Sequence, residues 1–183
     1  MIGASRMNET ATKAKTVVLG LGNLLLRDEG VGIHAIRGLR ERELPPDVEL
    51  VDGGTAALDL LAFLQRAERV IVLDAVRRGD EPGTVYRFRL EPKALQAGSV
   101  PLSLHELSLP EALGVAQKMG IHPEVIVLGV EPQTIEPGLE LSPQVRAALP
   151  RLLDAVCEEL RRSRGRDRGQ GRGVGPYPDE AGA

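Results

Sequence analysis

The sequence predicts an α/β fold, a mostly parallel sheet covered on both faces by helices. Two observations predict it. Segments 16–20, 69–74 and 124–130 are almost wholly apolar, as expected of strands buried on both faces. Stretches with apolar residues at helical spacing lie between such runs, so strands alternate with helices along the chain. In folds of this kind a ligand sits beyond the carboxyl ends of the strands.

The elements follow in order. The first strand covers 16–20. A helix is expected to begin at Asp28, whose carboxylate would accept N–H bonds from the first turn. Val31, Ile33, Ile36 and Leu39 form its apolar stripe, and Pro45-Pro46 ends it. A second strand covers about 48–52. Gly53-Gly54 then turns the chain into a helix over about 56–66 with Leu58, Leu61 and Leu64 inward. The third strand, Arg69 to Asp74, ends on an aspartate. Residues 84–90 alternate in character and read as an edge strand. Ser108 and Glu111 form a capping box with Pro110 in the first turn, so a helix is expected over 109–119. The fifth strand covers 124–130. Ser142-Pro143 opens the last helix, with Val145, Leu149, Leu152, Leu153, Val156 and Leu160 as its stripe. Pro150 inside it should kink or divide it.

The 183 residues form one domain by default. The expected division is a loose extension at 1–15, a single domain at 16–160, and a disordered Arg/Gly-rich tail at 161–183. The net charge of −3 hides an asymmetry. The tail holds six Arg against three acids, which leaves −6 on residues 1–160. A mildly acidic domain with two Tyr, two Phe and no Trp has neither the charge nor the stacking surface of a nucleic-acid binder. A single cysteine, Cys157, excludes an internal disulfide and any Cys-Cys metal knuckle. No apolar run approaches membrane-spanning length, and no apolar leader precedes Lys15. The expectation is a cytoplasmic monomer with no membrane or nucleic-acid partner.

The richest segment is Val17-Val-Leu-Gly-Leu-Gly-Asn-Leu-Leu-Leu-Arg-Asp-Glu-Gly-Val-Gly32. It has the strand and glycine turn of a nucleotide site but fails as one. Leu25 stands where the dinucleotide fingerprint needs its third glycine, and no Gly-Lys-Ser/Thr follows. The acidic pair Asp28-Glu29 would repel phosphate and is a better start for a cation site. Gly20 and Gly22 serve close backbone approach at the strand end. Asn23 either orients a substrate backbone or holds its own turn.

Gly20-Leu-Gly-Asn-Leu-Leu-Leu-Arg-Asp-Glu-Gly-Val-Gly32 resembles the N-terminal signature of the hydrogenase maturation endopeptidases. These enzymes trim the C-terminal extension from the large subunit of nickel–iron hydrogenases. Further matches come in the family's order: Asp52-Gly-Gly-Thr55, Leu73-Asp-Ala75, Ser103-Leu-His-Glu106 and Leu128-Gly-Val-Glu-Pro132. The resemblance spans about residues 16–160. It implies a three-layer α/β/α sandwich of the phosphorylase/hydrolase-like kind, with five strands, the fourth antiparallel. It also implies that Glu29, Asp74 and His105 bind a metal and with it perform catalysis. Gly22, Asn23, Asp28, Gly53, Gly54 and Thr55 would support the cleft.

Two oxygen ligands and one imidazole suit a borderline divalent metal and leave a position open. The resemblance implies nickel, delivered in the substrate precursor, with other divalent metals able to substitute. Taken alone, Glu29 would be a solvated first-turn glutamate, Asp74 a turn cap and His105 a loop histidine. The family motif reverses that order for all three. Asp28 reads first as a helix cap. His34, His122 and Cys157 read as structural.

Three functions follow. The first is a nickel-dependent endopeptidase, aspartic-type or metal-dependent, acting on the hydrogenase large-subunit precursor. The second is a non-catalytic metal-binding chaperone for the same precursor. The third is a Rossmann-like nucleotide binder, disfavoured by the missing glycine and the acidic pair.

Overall fold

The computed structural model describes residues 16–55, 60–90 and 109–167. Five strands form one sheet: β1 (Thr16–Leu21), β2 (Val48–Gly54), β3 (Arg69–Ala75), β4 (Val85–Arg89) and β5 (Glu124–Val130). Their order is β2-β1-β3-β5-β4. All neighbours are parallel except β4, which pairs antiparallel with β5 at the edge. Among the described residues four helices cover the sheet: α1 (Val31–Leu39), α2 (Leu60–Arg66), α3 (Leu109–Lys118) and α4 (Pro143–Asp167).

The continuous apolar strands divide by parity. Val18, Ile71, Leu73 and Leu128 point to one face and pack with α1 and α4 residues such as Ile36, Leu39, Leu152 and Val156. Val17, Leu19, Val70, Val72 and Val127 point to the other, against Leu64 of α2 and Leu113 and Ala116 of α3. Alternate residues of a strand face opposite sides, so helices on both sides demand apolar residues at every position. That arrangement is the expected three-layer sandwich.

Several expectations are corrected. The first helix does not start at Asp28. A single 3-10 turn, Arg27–Gly30, comes first, and α1 opens at Val31 with no side-chain cap. It stops at Leu39, well before Pro45-Pro46, and the N–H groups of Arg40, Glu41 and Arg42 close its last turns. β2 runs on through Gly54. Pro150 does not divide α4. It lies on the exposed side, where the carbonyl its ring leaves unbonded can turn to water. α4 continues through Asp167, so 161–167 of the expected tail are helical.

The expected start of the second helix at 56–59 and the capping serine Ser108 lie outside the described residues. No described helix is long and apolar enough to cross a membrane.

Candidate active site at the strand ends

The strand order reverses direction between β1 and β3: β1 continues to β2 on one side, and β3 leads away on the other. This is the topological switch point, where a parallel sheet opens a crevice beyond its carboxyl ends. Glu29 and Asp74 sit there. Asp74 is the penultimate residue of β3. The pairing of Gly20 with Leu73 brings Leu21 and the turn after it level with Asp74. The 3-10 turn that carries Glu29 packs against β3. Both carboxylates are buried, at 5% and 1% exposure. One Asp74 oxygen accepts the Ala75 N–H at 2.8 Å.

Two glycines make this approach possible. Gly22 has φ +129°, and a Cβ there would lie 1.8 Å from the Glu29 carbonyl oxygen. A Cβ on Gly32 would lie 2.2 Å from the Leu73 carbonyl and 2.4 Å from that of Leu21. The start of α1 therefore rests on the backbones of β1 and β3 together. Gly32 does the close-packing work of the fingerprint's third glycine, after a longer loop that leaves room for the 3-10 turn.

The supporting residues divide by what they touch. The Asn23 side-chain oxygen accepts the Leu25 N–H at 2.9 Å, and its carbonyl accepts the Leu26 N–H, so Asn23 holds its own turn. The Gly54 carbonyl accepts the Gly22 N–H at 3.1 Å, which ties the end of β2 to the turn after β1. Gly53 sits at the irregularity in that pairing, where Leu21 pairs with Gly54. Thr55 is exposed at the same end.

Asp28 is not a helix cap. Its fully buried carboxylate accepts the N–H groups of Gln133, Thr134 and Ser142 at 2.9, 3.0 and 2.7 Å, all from the loop between β5 and α4. Its own first turn cannot compete with three donors converging from across the chain.

His105 lies outside the described residues, as does the rest of Ser103–Glu106. Among the described residues no three His, Cys, Asp or Glu side chains come together in a group that could hold a metal. His34 is half-buried beside Leu139 and the cations of Arg37 and Arg146. His122 lines a cavity of about 410 Å³ at the amino ends of β3 and β5, the opposite end of the sheet. Cys157 is half-buried on α4, with Arg42 Nη1 3.8 Å from its sulfur.

Glu131 was not singled out from the sequence. Its Oε2 accepts the Arg78 and Gly79 N–H groups at 2.7 and 3.2 Å and the Tyr86 hydroxyl at 2.5 Å. Burial pushes its pKa up, but the Tyr86 hydroxyl and the N–H groups of Arg78, Gly79 and Asp80 outweigh that and hold it below the ordinary value. Burial, and then the contacts with Glu131 and Asp80, push the Tyr86 phenol far up. The available signal was an acid closing an almost wholly apolar strand, as at Asp74.

Residues 33–159 match the family model described as hydrogenase maturation protease. The chain belongs to the hydrogenase maturation protease family. The protease is 37% identical over 153 residues to the hydrogenase 2 maturation protease of Escherichia coli K12, covering 81% of this chain and 92% of that one. It is 36% identical over 149 residues to the hydrogenase expression/formation protein HupD of Bradyrhizobium diazoefficiens, covering 80% and 78%. Its structure matches the hydrogenase maturating endopeptidase HybD of E. coli with a TM-score of 0.73 at 35% identity, over 81% of this chain and 93% of that one. A hydrogenase 2 maturation peptidase from a Thaumarchaeota archaeon matches with a TM-score of 0.63 at 35% identity, over 80% and 97%. The five-stranded sheet with its antiparallel fourth strand is the expected fold. The family-model match begins at Ile33, so it includes Asp74 and His105 and stops short of Glu29.

Proposed function

We propose that the protease removes the C-terminal extension of a nickel–iron hydrogenase large-subunit precursor after nickel insertion, and that it recognises the nickel through Glu29, Asp74 and His105. One observation carries the proposal: two acids from neighbouring elements, Glu29 on the 3-10 turn and Asp74 on β3, are each buried at the switch point of the sheet, in a chain of this family. Little water reaches carboxylates at this depth, so their attraction for a divalent cation is weakly screened. Two carboxylate oxygens and an imidazole fit a borderline metal and leave positions for the precursor's own groups.

Nickel is here part of the substrate; held by Glu29, Asp74 and His105, it would serve as the recognition element, and could in addition supply Lewis acidity toward the scissile carbonyl or a water. The chain's own residues supply the rest. Gly22 and Gly32 bring the Glu29 backbone onto β1 and β3. Asn23 and the Gly54 carbonyl hold the turn that precedes it.

The test is a processing assay with nickel-loaded and nickel-free precursor, read by mass spectrometry for loss of a C-terminal peptide. Cleavage of the loaded form alone is expected. Equal cleavage of both forms would remove nickel recognition from the proposal. Unchanged precursor mass with a stable complex would replace cleavage by a holding role. Asp74→Asn and His105→Ala should each reduce processing below roughly 1% of the parent while the fold survives; retained processing in both would sink the site assignment.

A further inference from the structure

The loop between β5 and α4 is bonded to both sides of the site. On one side it meets the 3-10 turn. Asp28 takes the N–H groups of Gln133, Thr134 and Ser142, residues 105 to 114 positions away in the chain. The Arg27 N–H donates to the Gly138 carbonyl, and the Gly138 N–H donates to the Leu25 carbonyl, each at 2.9 Å. On the other side the loop meets the segment after Asp74. Glu131, at its start, holds the N–H groups of Arg78 and Gly79, and the Val76 N–H donates to the Val130 carbonyl at 3.0 Å. One loop thus fixes the element carrying Glu29 and the exit of the strand carrying Asp74.

Asp28 is the side chain that closes this frame. Its Oδ1 takes one donor and its Oδ2 takes two. Only a carboxylate offers acceptors on both ends of so short a side chain. Asparagine would keep one acceptor and turn an NH₂ toward the remaining N–H donors. Bonds to a distant segment do little to form the 3-10 turn itself. They fix where the turn stands, as partners behind a metal ligand do.

We propose that Asp28 is a positioning residue: it locks Glu29 to the β5–α4 loop, and through Glu131 that loop sets Glu29 against Asp74. This rests on the proposed role of Glu29 in metal recognition and adds what holds it there.

A double-mutant cycle tests it in the full chain, with D28N, E29Q and the pair D28N/E29Q beside the parent. Each is measured for Ni²⁺ affinity by calorimetry, for kcat/KM on nickel-loaded precursor, and for its urea midpoint. With Glu29 present, D28N should weaken Ni²⁺ binding and processing about 10- to 100-fold. In the E29Q background the same change should cost less than about twofold, while the drop in urea midpoint is the same in both backgrounds. An equal loss in both backgrounds would mean a general structural role and overturn the proposal, as would unchanged affinity and processing in D28N. Parent-like behaviour of E29Q would instead overturn the role of Glu29, and the proposal with it. If D28N does not fold, D28S keeps one acceptor oxygen without the opposed NH₂ and carries the same cycle.

Discussion

Gly22 is the position where a single methyl group tests the architecture of the site. Its φ of +129° is one that residues with a Cβ rarely adopt, and holding alanine there costs roughly 1–3 kcal/mol. The added Cβ would also sit 1.8 Å from the Glu29 carbonyl oxygen, where even a tight contact is 3.0 Å. The obstacle is backbone, so no rotamer relieves it. The turn must retreat by about 1.2 Å from β1 to reach that limit. Overpacking of this kind costs roughly 1–3 kcal/mol more. The expected loss for Gly22→Ala is therefore about 2–6 kcal/mol, a large share of the roughly 5–15 kcal/mol typical of a domain.

Gly120→Ala isolates the backbone part. Gly120 also has positive φ, at +76°, but a Cβ there meets nothing within 4 Å. It should cost about 1–2 kcal/mol. Urea unfolding followed by circular dichroism gives both values. Processing separates them further, since displacing Glu29 by about 1 Å should reduce kcat/KM by roughly 100-fold, and Gly120 lies far from the site. A Gly22→Ala protein no less stable than Gly120→Ala, with parent-like processing, would refute the close approach of the turn to β1.

Glu159 is buried on α4 and accepts from Arg69 and, at 2.6 Å, from Arg87; Glu159→Ala leaves the buried Arg69 with Glu124 at 3.1 Å and the residue-159 carbonyl, and the lost charged hydrogen bonds should cost about 1.5–3 kcal/mol in urea unfolding. The pair lies toward the amino end of β3, so processing by the folded fraction should be unchanged. Tyr86→Phe removes a hydroxyl donor from Glu131 and should cost about 1.5–3 kcal/mol at pH 7. Because the folded pKa of Glu131 is depressed below its ordinary 4.5, its stabilisation is full above that pH and lost as pH falls through the folded value. The Tyr86→Phe deficit should therefore shrink on acidification. Burial, then Arg37, with a smaller push from Arg146, hold the His34 pKa below 6.5 against the hydrogen bond that the imidazole donates to the Leu139 carbonyl. Stability should thus fall as pH drops from 6.5 toward the folded value, and His34→Gln should flatten that limb in urea midpoints taken between pH 7.5 and 5.

The sheet was legible because burial on both faces leaves little choice of residue: Val17 to Leu19 and Val70 to Leu73 are apolar throughout. Asp74 stood out for the same reason, as an acid ending such a run. The partners of Asp28 were not legible. Local propensity says that an aspartate before a helix caps it, and only the folded loop brings Gln133, Thr134 and Ser142 within reach. Glu159 was hidden differently. It falls on the buried stripe of α4, three residues beyond Val156, and an acid at that spacing signals a buried ion pair. Its partner Arg69 opens a strand and reads there as an ordinary polar end. Pairs of this kind join residues 90 apart, and no local window contains both.

The segment from Gly20 to Gly32 also shows how a nucleotide-like frame turns to a different purpose. In dinucleotide folds the crevice between reversing strands, with a helix N-terminus above it, receives an anion from outside. Here the helix α1 opens at the same place, with Gly32 seated on the carbonyls of Leu21 and Leu73. The 3-10 turn inserted before it brings two acids of the chain itself, Asp28 and Glu29, to the start of that helix. One faces the β5–α4 loop and accepts its backbone donors; the other is buried on the turn that packs against β3. Asp74 is buried at the end of β3 on the same side of the sheet, so the crevice is lined by acids where a dinucleotide fold presents backbone N–H donors. The departure from the dinucleotide frame thus follows from the lengthened loop and its two acids, with the frame of the fold unchanged, and it is this departure that the proposed recognition of a cation in place of a phosphate builds on.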